Sequence, residues 1–235
     1  MRHLTSTAAL FLAAAALGAC GSNSGGKTAD IPSGNASPST TPTVTAATKP
    51  PAAGCKQVNK PAAKPDGGAK KPTKPLDASK TWTLQFKTNC GDFTVKLDLK
   101  SAPKTSASMV ALAKSGFFRN TIFHRIVPGF VIQGGDPTGV GDGGPGYSTR
   151  DKPPPNARYT KGVVAMAKTS QEAPGTAGSQ FYVVTGPDAG LPPQYAIIGK
   201  VSKGLSTVDR IGKLGDAAEH PTQTVVLYDV KASGS

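Results

Sequence analysis

Two runs of strict alternation constrain what this 235-residue chain can fold into. Trp82, Leu84 and Phe86 alternate with Thr and Gln, and Phe93, Val95, Leu97 and Leu99 alternate with Thr, Lys and Asp. A period of two with a polar partner face is the pattern of half-buried antiparallel strands. Asn89-Cys90-Gly91-Asp92 between them has the chemistry of a tight turn, so a hairpin is predicted. Further short strands are predicted over Thr121–Val127, Phe130–Gln133, Gly162–Ala167, Gln180–Val184, Ala196–Val201 and Thr224–Val230. Two helices interrupt them. Pro103–Ser115 has Ser101 as its expected cap, Pro103 in its first turn and Gly116 past its end. Leu205–Ile211 is the second. Many short strands with few helices predict a mainly β fold, a closed barrel without exposed sheet edges.

The first third reads differently. Residues 21–79 show no sustained period, and Pro recurs there at 32, 38, 42, 50, 51, 61, 65, 72 and 75. Such composition buries too little apolar surface to offset its ordering entropy. Residues 20–79 are therefore expected to be a disordered tether, spanning about 40–45 Å as a flexible coil. The globular domain is expected over 80–235. The formal charge of +13 does not point to nucleic acid. Residues 21–79 hold eight Lys against three Asp, residues 80–235 hold eighteen Lys and Arg against eleven Asp and Glu, and aromatics are not interleaved with them. A basic chain near an anionic membrane fits better.

Residues 1–19 have the parts of an export leader: Arg2, then the apolar run Leu10–Leu17, too short for a permanent membrane span. The ending Leu17-Gly18-Ala19-Cys20 resembles a bacterial lipoprotein signal. The resemblance implies lipidation of Cys20 and anchoring at the outer face of the cytoplasmic membrane, with more than one acyl chain needed for stable attachment. That leaves Cys55 and Cys90, which export would favour as a disulfide, with two free thiols as the alternative. No His or further Cys lies at ligand spacing, so no metal is expected.

The run Phe123-His124-Arg125-Ile126-Val127-Pro128-Gly129-Phe130-Val131-Ile132-Gln133-Gly134-Gly135-Asp136, with Gly178-Ser179-Gln180-Phe181-Tyr182 and Ala196-Ile197-Ile198-Gly199-Lys200, resembles the cyclophilin family of peptidyl-prolyl isomerases. The resemblance covers about Thr81 to Val230. It implies an eight-stranded antiparallel barrel with two short helices, and no cofactor. Isomerisation needs only relief of amide resonance, a barrier of about 18–20 kcal/mol. A site that prefers the twisted bond over both planar forms suffices. The resemblance makes Arg125 the cation beside the pyramidal nitrogen. Phe130 and Val131 become the floor of a proline pocket, with Tyr182 and Leu191 as its walls. Gln133 holds substrate backbone or orients Arg125. Ala167, Lys168 and Thr169 offer backbone groups to the residue before Pro, and Gln180, Gly141 and Tyr195 border the groove. His124 is counted among the substrate-binding residues, although no spacing suggests a triad and it reads as structural.

Several positions depart from the family's usual residues. Val131 stands where many members have Met, Lys168-Thr169 replaces Asn-Ala, Tyr182 replaces Phe and Tyr195 replaces His. No Trp precedes Leu191, so cyclosporin binding is expected to be weak. The expected partners are Pro-containing polypeptides, with no nucleic acid, and the chain is expected to be a monomer. The rival reading is a non-catalytic chaperone or adaptor that grips Pro-containing segments.

Overall fold

The computed structural model describes residues 53–235. The leader, Cys20 and the tether up to residue 52 lie outside the described residues. The chain order is β1 (Trp82–Thr88), β2 (Gly91–Leu97), α1 (Pro103–Lys114), β3 (Thr121–Val127), β4 (Val131–Gly134), β5 (Thr149–Arg150), β6 (Val163–Met166), β7 (Thr176–Ala177), β8 (Phe181–Val184), β9 (Ile197–Lys203), α2 (Leu205–Gly212) and β10 (Val226–Gly234). Eight of the strands close a barrel in the order β1-β10-β3-β4-β8-β6-β9-β2, every pair antiparallel. The remaining two, β5 and β7, form a separate ribbon. They are two residues each, too short for a period to announce them.

Alternation decides which face each residue takes. Leu84, Phe86, Phe93, Val95, Ile126, Ile132, Phe181 and Val183 point into one core. Phe86 and Phe93, directly opposite across the hairpin, stack at 4.6 Å, and Phe181 sets its ring at an angle to Phe86, Phe118 and Phe123. Helix α1 packs on β10, and α2 on β2 and β4. Ser101 does not cap α1. Its hydroxyl bonds Asp98, the N-cap position is Ala102, and Thr105 N–H donates instead to Asp151 from far along the chain. Among the described residues no helix is long and apolar enough to cross a membrane.

The expected tether boundary is corrected by the structure. Residues 53–79 are irregular, as their composition implies, but they form a strap on the barrel. Cys55 and Cys90 are bonded as a disulfide. Lys56 N–H donates to Asn89 O at 2.8 Å, and the Asn89 amide donates to Lys56 O and Thr224 O while accepting from Val226 N. Further on, Lys64, Gly67 and Ala69 N–H groups donate to the carbonyls of Pro137, Gly144 and Pro145. The Lys64 ammonium reaches the carbonyls of Gly116, Phe117 and Arg119 just past α1. A strap that finds its partners on distant loops has no period of its own to read. Gly146 is required at this crossing: a Cβ there would meet Gly67 Cα and Gly68 N at 3.1 Å.

Candidate active site

Four strands present one row of side chains on the outer face of the barrel. Arg125 on β3 lies opposite Gln133 on β4, Gln133 opposite Tyr182 on β8, and Tyr182 opposite Ala165 on β6. A register shift between Phe123 and Arg125 aligns Arg125 with Gln133 while Ile126 stays inside. Val131, Tyr182, Val184, Val163, Ala165 and Tyr159 form a second apolar cluster outside the barrel core. Phe130, Ala167, Leu191 and Tyr195 pack against it half-exposed. The result is an open pocket of about 310 Å³, lined by Arg125, Phe130, Val131, Gln133, Ala167, Lys168, Tyr182, Leu191 and Tyr195.

Three tyrosines stiffen its back. Tyr182 and Tyr159 meet Tyr195 edge-on at 5.8 and 5.9 Å. The fully buried Tyr159 donates its hydroxyl to Tyr195 O at 2.8 Å and accepts from Tyr195 N at 3.0 Å. Burial first, then the neighbouring Tyr159 and Tyr195, push the Tyr182 phenol far above its ordinary range, so it stays neutral.

A hydrogen-bonded chain crosses the pocket's polar edge. Arg125 Nε donates to Glu219 Oε2 at 2.6 Å and Nη1 to Gln133 Oε1 at 3.3 Å. Gln133 Nε2 donates to Gln180 Oε1 at 3.1 Å, and Gln180 Nε2 donates to the carbonyls of Gly141 and Gly143. A second hollow of about 560 Å³ continues from the first. It shares Gln133, Ala167 and Lys168 and adds Thr169, Gln180, Gly141 and Asp66 of the strap.

The chain is similar to known proteins. Residues 83–232 match the model of the family described as cyclophilin type peptidyl-prolyl cis-trans isomerase/CLD. The chain belongs to the cyclophilin family. It is a peptidyl-prolyl cis/trans isomerase. Among curated relatives, the peptidyl-prolyl cis-trans isomerase-like 1 proteins of Aspergillus fumigatus and Homo sapiens are similar to it. The fungal protein is 40% identical over 62% of this chain and 92% of its own length; the human one is 35% identical over 68% and 98%. A crystal structure of a cyclophilin type isomerase from Cryptosporidium parvum, determined in the presence of the dipeptide Ala-Pro, aligns with a TM-score of 0.60 and 34% identity. It covers 65% of this chain and 99% of that one.

Of the catalytic and substrate-binding residues expected in this cyclophilin, all but His124 line one of the two hollows. His124 sits at the register shift of β3 and borders a different recess with Lys60, Gly139 and Val140. Both its ring nitrogens are buried without a partner. It lines neither hollow, although its ring lies beside Gly141, which borders the second. Sequence reasoning missed Tyr159, Asp66 and Glu219. Tyr159 and Asp66 lie in loop and strap segments without periodicity. Glu219 lies 94 residues from Arg125, and only the folded chain brings the two together.

Proposed function

We propose that the pocket receives the proline ring and that Arg125 stabilises the twisted Xaa-Pro amide. As the C–N bond rotates out of resonance, the nitrogen pyramidalises and gains a lone pair. A permanently charged guanidinium hydrogen-bonds to it in the transition state more strongly than in either planar form. The supporting observation is the fixed Arg125 at the mouth of an apolar pocket. Gln133 steadies it, and a prepositioned donor spends nothing on reorganisation during the step. Phe130, Val131, Tyr182 and Leu191 take the ring, and the Ala167–Thr169 backbone pairs with the residues before Pro. Isomerisation of a Xaa-Pro peptide by the full chain, wild type beside Arg125→Ala, tests this. Loss of about 10²–10³-fold in kcat/KM with peptide affinity retained is expected. Unchanged turnover in the variant would sink the assignment.

The clients are proposed to be exported proteins whose slow Xaa-Pro steps limit folding. The leader pattern before Cys20 supports export, as does the Cys55–Cys90 bond, which persists in oxidising compartments. Cys20 is proposed to carry the lipid anchor, the chain is proposed to be a monomer, and weak cyclosporin affinity is proposed from the lack of a Trp before Leu191. Wild type should partition with membranes and Cys20→Ser should not; equal partitioning would refute the anchor.

A further inference from the structure

We infer that Glu219 is a positioning residue for isomerisation, holding the Arg125 guanidinium in the orientation its role requires. The inference rests on the assignment of Arg125 above. Three independent features of the loop after α2 converge on it.

The first is the contact. Glu219 takes the Nε–H of Arg125 at 2.6 Å while Gln133 takes Nη1, so the planar guanidinium is gripped from two sides and Nη2 is left without a protein partner. Two bonds to different edges fix the plane of the group, which one bond cannot do. The second is the backbone. Glu219 has φ of +66°, one of two non-glycine residues with positive φ among the described residues. Such strain persists only where the surroundings hold it and gathers at functional sites.

The third is the scaffold around it. The loop closes on itself through a bridge between Gly215 and Pro221 and a bond from Asp216 N to His220 O at 2.9 Å. The Asp216 carboxylate accepts from Ala218 N and His220 N at 2.9 and 2.8 Å. Glu219 O in turn accepts from Ile126 N at 3.0 Å, next to Arg125 itself. Gly215 lies flat on β3, where any Cβ would fall 2.2 Å from Ile126 O. The loop is thus stapled to β3 at the residue beside the arginine, and its strained position presents the carboxylate. Stability alone does not account for this arrangement. The pair is partly open to solvent, with the Arg125 side chain 34% and Glu219 47% exposed, and such pairs add little to folding.

The test uses the full chain and separates kcat from KM. Glu219→Ala is expected to lower kcat about tenfold with KM within about twofold, because a misplaced group fails in the transition state and not in binding. Glu219→Gln, which keeps an acceptor, should recover part of that loss. Glu219→Gly suits the positive φ and should fold at least as well as wild type, yet lose turnover as Ala does. In an Arg125→Ala background, Glu219→Ala should cost nothing further. Full kcat in the Ala or Gly variant, or a further loss on top of Arg125→Ala, overturns the inference while leaving Arg125 in its role. Normal turnover in Arg125→Ala alone overturns both.

Discussion

His124 shows what a single side chain can hide inside a signature motif. It adjoins Arg125 in sequence, but the register shift at this point of β3 separates their surroundings. Burial, opposed by Asp136 and reinforced by Arg125, lowers the pKa of its imidazole below the ordinary value. The unfolded chain therefore takes up a proton near pH 6.5 that the folded chain refuses. Stability should hold from pH 8 to 7 and fall between about pH 6.5 and 5, and His124→Leu should flatten that slope. Urea midpoints across this range test it; an equal slope in the variant would refute it. Asp98 and Asp136 have lowered pKa values, so their contribution is lost only below the ordinary carboxylate range, outside this window. The groove residues were legible because a long motif fixes residue types at fixed spacing. Glu219 was not, because an ion pair across 94 residues leaves no trace in spacing.

At the scale of elements, what repeats is legible and what docks is not. Period two and Pro or Gly punctuation gave the eight barrel strands and both helices to within a few residues. The cap of α1 escaped because Asp151 acts from a distance. The strap escaped for the same reason: its hydrogen bonds go to loops 73–77 residues ahead, at Pro137, Gly144 and Pro145. Its attachment yields a prediction. The disulfide closes a loop with sequence separation 35, so Cys90→Ser should lower stability by about 2–4 kcal/mol, read from denaturant midpoints at constant slope. Limited proteolysis between residues 56 and 80 should accelerate in the same variant. Unchanged cleavage would mean that backbone hydrogen bonds alone hold the strap.

Taken whole, the described residues form a barrel with two cores, one inside and one on its outer wall, and the outer one is the proposed site. Binary patterning predicts both, since alternate residues of β3, β4, β6 and β8 serve opposite faces and both faces are apolar. Patterning cannot say which face is enclosed and which opens as a pocket; barrel closure decides that. The Cys55–Cys90 bond adds a mechanical consequence. Any tension applied to the chain ahead of Cys55 passes through a covalent link into the β1–β2 turn. The load enters the barrel at the hairpin, bypasses residues 56–79, and leaves the strap slack where Asp66 borders the groove. Under such a load the bond would act as strain relief for the hollow that Asp66 borders.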